Sequence, residues 1–165
     1  MNRSLEFIYY DSDVNLFTLT AEGSSLLKEV ESSKKDILVV SIIGAARTGK
    51  STLLNLLTET NCFVTSNSTE PCTLGLNAVY ARDQSIIYID TQGLFDGKVD
   101  DEKLIALCAL MSDVCIYNVP QVIDSRNISN IADGVRLAVS LYALPSGTII
   151  IIYNFLVLVV TIIAC

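Results

Sequence analysis

The clearest pattern of apolar and polar positions lies at residues 37–57. Residues 37–43 form an apolar, mostly β-branched run interrupted by one serine, which predicts a buried strand. A glycine-containing loop follows at 44–49. The leucines at 53–57 then recur at the spacing of a helix with one buried face. The segment therefore predicts a strand, a short loop and a helix in direct succession.

Similar patterns divide most of the remaining chain into alternating strands and helices. Thr20 and Asp100 are suitable N-caps, each placed just before a helical pattern, and the second helix extends to Met111. The other predicted elements are strands at 14–19, 78–81, 85–89, 113–119 and 149–153 and a helix at 127–143. Strands that alternate with helices predict an α/β fold, with a mainly parallel sheet between two layers of helices.

The loop after the first strand has the spacing G-x-x-x-x-G-K-[S/T], which is typical of the P-loop of nucleoside-triphosphatases. Glycines allow successive backbone N–H groups to point into one concavity, at the positive end of the following helix. Lysine supplies a cation for the β- and γ-phosphates, and the serine hydroxyl is a ligand for Mg²⁺. The predicted nucleotide-binding residues of this loop are Gly44, Ala45, Ala46, Arg47, Thr48, Gly49, Lys50, Ser51 and Thr52.

Charge and composition limit the partners and the chemistry. Eleven Lys and Arg against 18 Asp and Glu give a net charge of −7, which argues against nucleic acid as a partner. The chain has no histidine, so histidine triads and histidine metal sites are excluded. Its five cysteines form no C-x-x-C pair, and together with the lack of a secretory signal this favours reduced thiols in the cytoplasm.

Two further motifs narrow the class of nucleotide-binding protein. An apolar strand runs into Asp90, and Gly93 follows three residues later, which is the D-x-x-G arrangement of Ras-like GTPases. In that arrangement the aspartate reaches Mg²⁺ and the glycine N–H contacts the γ-phosphate. Thr73 ends an irregular polar segment at 59–73, where a switch threonine would contact Mg²⁺ and the γ-phosphate. Its position alone fits an ordinary turn threonine equally well.

Taken together, these segments resemble the guanylate-binding-protein and atlastin group of large, dynamin-related GTPases. The resemblance rests on GAARTGKSTLLN at 44–55, CTLGL around Thr73, DTQGLFD at 90–96, MSDVCIYNV at 111–119 and the helix before the P-loop. It extends from about residue 14 to about residue 153. Gln92 and Phe95 favour atlastin over the guanylate-binding proteins.

The resemblance implies Mg²⁺-dependent hydrolysis of GTP to GDP and phosphate, stimulated when two copies pair across the nucleotide face. It implies that Arg47 is an arginine finger supplied in cis, and that it acts with Lys50 and Thr73 in catalysis. Mg²⁺ would be held by Ser51, Thr73 and Asp90. The residue after Gly93 is Leu94, so the glutamine that orients water in Ras-like enzymes is absent.

The carboxyl-terminal part departs from the family pattern. The Arg-Asp pair that reads guanine is expected near residue 153, where Tyr153, Asn154 and Phe155 stand instead, and no N/TKxD motif occurs. Residues 148–165 carry no charge. A core strand with an apolar end is favoured there, and a membrane anchor is the alternative. The expectation is one truncated GTPase domain at 1–165, incomplete on its carboxyl-terminal side. Its rivals are a non-hydrolysing nucleotide-binding or interaction protein, including a membrane-tethered one, and an ATPase.

Overall fold

A computed structural model of the chain describes residues 3–65, 75–95, 97, 99–119, 125–141, 147–153 and 156–162. Within those ranges the chain forms one sheet of eight strands and four helices. In chain order they are β1 (Leu5–Asp11), β2 (Leu16–Leu19), α1 (Ala21–Ser33), β3 (Leu38–Ile43), α2 (Lys50–Leu57), β4 (Leu76–Ala81), β5 (Ile86–Thr91), α3 (Asp101–Met111), β6 (Val114–Val119), α4 (Ser125–Leu141), β7 (Gly147–Tyr153) and β8 (Leu156–Ile162).

The sheet has the strand order β2-β1-β4-β5-β3-β6-β7-β8. β3 lies between β5 and β6 and is parallel to both, and β7 is parallel to β6. The outer strands β1, β2, β4 and β8 pair antiparallel with their neighbours. The sheet is therefore mixed, with a parallel centre. Because β5, β3 and β6 are parallel, their carboxyl ends meet at one edge, where ligands bind in open α/β sheets.

Helices cover both faces of the sheet, as the α/β prediction requires. On one face, α1 and α3 bury Leu26, Leu104 and Cys108 in a large cluster with strand residues. On the other face, α2 packs Leu54 against Val40, Ile42 and their neighbours. The helix α4 packs against α3, where a Cβ on Gly134 would overlap the side chain of Ile105. The predicted three-layer α/β architecture is confirmed.

Several local predictions agree with the structure. The hydroxyl of Thr20 accepts the N–H of Gly23 at 2.9 Å, and the carboxylate of Asp100 accepts that of Lys103 at 3.2 Å. β2 is an edge strand, and β7 covers the strand expected at 149–153.

Two elements were not predicted. One is β1, which pairs with β2 and β4, and the other is β8, which lies in the apolar segment whose alternatives were a core strand with an apolar end and a membrane anchor. Among the described residues, no helix is long and apolar enough to span a bilayer.

Candidate phosphate-binding site

The loop at 44–49 joins the carboxyl end of β3 to α2, and its backbone demands glycine at both ends. Gly44 has φ +147°, and a Cβ there would overlap the backbone oxygen of Asn118. Gly49 has φ +84° and is the N-cap of α2, without a side-chain capping bond. Since the first N–H groups of a helix have no acceptor within it, the loop and the start of α2 offer donors to an anion.

Lys50 lies across the inside of the loop. Its side chain is 7% exposed, and its Nζ donates to the carbonyl of Ala45 at 2.9 Å. The hydroxyl of Thr48 donates to the same carbonyl at 3.0 Å. The ammonium group is thus held over the loop by a backbone oxygen of the loop itself, which keeps its charge close to the N–H groups.

Ser51 and Asp90 bring the start of α2 and the end of β5 together. The Ser51 Oγ donates to Asp90 Oδ2 at 2.6 Å, and Asp90 is 1% exposed. A hydroxyl and a carboxylate are oxygen ligands of the kind that Mg²⁺ prefers, so these two residues fit a Mg²⁺ site. In the described ranges no three His, Cys, Asp or Glu residues gather into a metal-binding group.

The turn after β5 is bonded directly to the loop. Leu94 donates its N–H to the Gly44 carbonyl at 2.9 Å and accepts the Ala46 N–H at 3.3 Å. Gly93 lies so close to Ala46 that a Cβ on Gly93 would overlap the backbone of Ala46. The D-x-x-G glycine therefore lies against the P-loop, and no larger residue fits there without displacement.

Gln92 ties the same turn to the segment that carries Thr73. Gln92 is 2% exposed, its N–H donates to the Gly75 carbonyl at 2.8 Å, and its Oε1 accepts the Gly75 N–H at 3.2 Å. Thr73 itself lies outside the described residues. The nearest described residue on its carboxyl-terminal side is Gly75, two residues after Thr73.

Asn118, at the carboxyl end of β6, was not predicted as a site residue. Its Nδ2 donates to the Thr48 carbonyl at 2.8 Å and lies 3.2 Å from the Thr48 hydroxyl. The available signal was a polar residue at the end of a buried strand, next to the strand that leads into the P-loop.

The remaining predicted residues lie on the outer side of the loop. Arg47 is exposed and has φ +62°, a left-handed conformation that is unusual for a residue other than glycine. Thr52 is exposed in the first turn of α2. The structure thus brings Lys50, Ser51, Asp90 and Gly93 together beneath the loop, with Arg47 at its surface.

Comparison with known proteins gives two kinds of match. Residues 18–138 match the family model described as guanylate-binding protein, N-terminal domain. Mouse guanylate-binding protein 5 is 29% identical over 126 residues, which cover 67% of this chain and 21% of that protein. The proteins named GTPase Era from Ehrlichia canis and from Ehrlichia ruminantium strain Welgevonden are each 33% identical over 91 residues, covering 54% of this chain and 31% of their own length. The chain thus spans less than a third of the length of each of these relatives.

Proposed function

Since the chain belongs to the guanylate-binding protein N-terminal domain family, we propose that it binds GTP with Mg²⁺ and hydrolyses it to GDP and phosphate. The observation that carries the proposal is the meeting of three groups at one edge of the sheet. These are the glycine loop, the buried Lys50 and the Ser51–Asp90 pair. We treat residues 1–165 as one domain because the described strands form a single sheet.

In this proposal the phosphates are bound by backbone N–H groups of the loop and the start of α2. The Lys50 ammonium exchanges the Ala45 carbonyl for phosphate oxygens, a short movement for a flexible side chain. The N–H of Gly93 contacts the γ-phosphate. Gln92 holds Gly75 and thereby sets the approach of Thr73 to the same phosphate.

Mg²⁺ is proposed to be held by Ser51, Asp90 and Thr73. When bound, it would neutralise charge on the phosphate oxygens and polarise the bond that is cleaved. The 2.6 Å separation of the Ser51 Oγ from the Asp90 carboxylate supports this choice, because the two oxygen atoms already face each other.

Hydrolysis is proposed to proceed by attack of water in line with the leaving phosphate oxygen. Lys50 and Arg47 would balance the charge that develops on the transferred phosphoryl group. Leu94 has no polar side chain, which agrees with a mechanism that relies on Arg47 and backbone groups to position water. The left-handed backbone at Arg47 presents its side chain at the loop surface, as an arginine finger requires.

We further propose that two copies pair across the nucleotide face, in the cytoplasm, as atlastin-like, dynamin-related GTPases do. Arg47 is exposed on that face, and so is Phe95, which follows the turn bonded to the loop. Pairing would cover Arg47 and turn it toward the phosphates of its own domain.

The test combines nucleotide titration with phosphate release. GTP, GDP and ATP are titrated in the presence of Mg²⁺, and phosphate release is followed at several protein concentrations. Arg47→Ala is expected to lower turnover at saturating GTP by about 10³-fold, with little change in GTP affinity. Arg136→Ala is the matched control, because that exposed arginine is paired with Asp133 on α4.

Each outcome bears on a different part of the proposal. Turnover per molecule that rises with protein concentration supports pairing, and turnover independent of concentration contradicts it. Equal turnover in Arg47→Ala and Arg136→Ala would show that Arg47 does not act as an arginine finger. Nucleotide binding without phosphate release would support the alternative of a non-hydrolysing nucleotide-binding protein. Tighter binding of ATP than of GTP would support the alternative of an ATPase.

A further inference from the structure

We propose that Asn118 is a positioning residue that orients the Thr48–Gly49 peptide, so that the Gly49 N–H faces the phosphates. The inference rests on the proposed function, since it concerns the same phosphate site. It assigns to β6 a direct role in the shape of the P-loop, although Asn118 lies outside both the P-loop and the D-x-x-G motif.

The first step is the contact itself. Asn118 Nδ2 donates to the Thr48 carbonyl at 2.8 Å, a short and well-formed amide hydrogen bond. The second contact of the same nitrogen, with the Thr48 hydroxyl, is 3.2 Å long. One carboxamide group therefore contacts both the carbonyl and the hydroxyl of the residue that precedes Gly49.

The second step follows from the geometry of the peptide bond. A trans peptide is planar, and its C=O and N–H point in opposite directions. Because the Thr48 carbonyl is held toward β6, the Gly49 N–H must point away from β6. No cis peptide bond occurs among the described residues, so this relation applies to the Thr48–Gly49 bond.

The third step explains why the orientation of the Thr48–Gly49 peptide needs a hydrogen bond to hold it. Gly49 has φ +84°, and a Cβ placed on it would meet nothing within 4 Å. On the glycine side no side chain restricts the rotation of the preceding peptide. The hydrogen bond from Asn118 therefore favours one orientation of the Gly49 N–H, together with the bond of the Thr48 hydroxyl to the Ala45 carbonyl.

The fourth step concerns the rigidity of Asn118. Residues of β6 pair with β3 on one side and with β7 on the other, where Asn118 lies opposite Ile152. Its backbone oxygen also lies against Gly44 at the start of the loop. Asn118 thus belongs to a strand with a partner on each side, and it meets the loop near both ends, with its carboxamide at Thr48 and its backbone oxygen at Gly44.

The same contact reaches Lys50 through a chain of hydrogen bonds. Thr48 Oγ1 donates to the Ala45 carbonyl at 3.0 Å, and Lys50 Nζ donates to that carbonyl at 2.9 Å. Asn118, Thr48, Ala45 and Lys50 therefore form one connected polar network. Asparagine suits the position because its Nδ2 is a donor, whereas an aspartate of the same shape would repel the Thr48 carbonyl.

The experiment compares Asn118→Asp and Asn118→Ala with Tyr117→Phe. Tyr117 is the neighbouring residue of β6, and its hydroxyl donates to Asn127 of α4 at 3.2 Å. Affinities are measured for Mg·GDP, Mg·GTP and inorganic pyrophosphate, together with turnover and thermal stability. The amide signal of Gly49 is followed in ¹⁵N-labelled protein as GDP is added.

Both Asn118 variants are expected to weaken GDP, GTP and pyrophosphate by about tenfold each, since the loop N–H groups bind the phosphates that all three ligands share. The ratio of GDP to GTP affinity and the turnover at saturating GTP should change by less than about threefold. The large shift of the Gly49 amide on GDP binding should be lost in the variants. Tyr117→Phe should lower thermal stability without changing any of the three affinities.

The outcomes separate this inference from the proposed function. If the wild type hydrolyses GTP and the Asn118 variants bind GDP normally, the positioning role is wrong and the function stands. If the wild type binds pyrophosphate through Asn118 but binds no guanine nucleotide, the function is wrong and the positioning role stands. A Gly49 amide that shifts equally in wild type and Asn118→Asp contradicts the inference even if Asn118→Ala fails to fold. A wild type that binds no phosphate compound contradicts both.

Discussion

β5 and β6 both lie beside β3 and both end beneath the P-loop, yet they contact it differently. From β5 come the carboxylate of Asp90, at Ser51, and a turn whose backbone bonds to Gly44 and Ala46. From β6 comes one carboxamide, which holds a carbonyl of the loop from a residue that pairs with β7, on a strand that β3 and β7 flank. On the proposed function the two strands have different roles, since β5 would supply groups that contact the ligand and β6 would support the shape of the loop.

The largest expected effect tests the support from β6. Gly44→Ala would drive a methyl group into the Asn118 backbone oxygen, and a strand paired on both sides cannot move aside. We expect a loss of about 3 kcal/mol in the free energy of unfolding, with loss of nucleotide binding. Urea denaturation measures the first and GDP titration the second.

Gly97→Ala is the control for that experiment. Gly97 also has positive φ, at +71°, but a Cβ there would meet nothing within 4 Å. It should cost about 1 kcal/mol, the strain of a left-handed backbone alone. Equal losses in the two variants would mean that β6 does not support the loop rigidly.

The next effect tests the ligand-contacting role of β5. Asp90→Asn preserves shape but removes the carboxylate charge beside Ser51. Hydrolysis of GTP should fall about 10- to 100-fold, and the Mg²⁺ concentration for half-maximal activity should rise. GDP affinity without Mg²⁺ should change little, in contrast to the Asn118 variants.

Asp113→Asn provides the comparison for Asp90→Asn, because Asp113 accepts the Val39 N–H at 2.8 Å at the opposite end of β3. Its hydrolysis and its dependence on Mg²⁺ should match those of the wild type. If Asp113→Asn lowered activity as much as Asp90→Asn, the loss at Asp90 would result from the change in the protein's net charge and not from a specific role beside Ser51.

A smaller effect distinguishes β6 from β5 by the pH dependence of the free energy of unfolding. Ser41 of β3 lies between Ile89 of β5 and Cys115 of β6 in the sheet. Burial raises the pKa of the Cys115 thiol from 9.0 to about 11, and burial also raises that of Cys108 well above its usual value. The folded state therefore keeps the proton of Cys115 after the unfolded chain has lost it.

Stability from this thiol is thus fully present below pH 9 and is lost as the pH rises toward 11. The expected loss is at most about 1.4 kcal/mol per pH unit for Cys115. Urea denaturation at about pH 8 and about pH 10 should show a shallower pH dependence for Cys115→Ala than for wild type. Ile89→Val, on the β5 side, should retain the wild-type slope, and a reduced slope there would contradict the assignment to β6.

The smallest expected effect concerns the link from the β5 turn to Gly75. Gln92→Leu removes the acceptor for the Gly75 N–H and should cost about 1 kcal/mol in stability. Hydrogen exchange at the Gly75 amide should be faster in this variant than in the wild type, and unchanged exchange would contradict the role of the Gln92 side chain.

The parts of the fold that were predictable are those governed by residues close in sequence. Thr20 and Asp100 cap their helices through N–H groups three residues away, and the P-loop follows from one strand, two glycines and one helix. The D-x-x-G turn was found for the same reason, because its strand and its acidic residue are adjacent. Such features depend on local propensity and spacing, which a single sequence contains.

The parts that were missed depend on partners far along the chain. β1 has no clean alternation, and its pairing with β4 changes register between Glu6 and Ile8. Asn118 contacts a residue 70 positions earlier, so its place at the end of a buried strand is a signal in the sequence but its partner is not. In the uncharged run at 148–165, the one polar residue between β7 and β8 is Asn154, and a single asparagine without glycine or proline was too weak a signal to predict two strands of a hairpin.

Leu94 exchanges backbone hydrogen bonds with the P-loop as a residue of a neighbouring strand would, through a bridge between Ala45 and Leu94. Two equilibria share that bridge, namely nucleotide binding at the loop and the conformation of the chain that leads to α3. By thermodynamic linkage, any molecule that binds near Phe95 and alters the bridge changes nucleotide affinity by some factor, and the nucleotide changes that molecule's affinity by the same factor. On the proposed function, the backbone of a leucine without a polar side chain would thus couple the phosphate site to the surface around Phe95 in both directions.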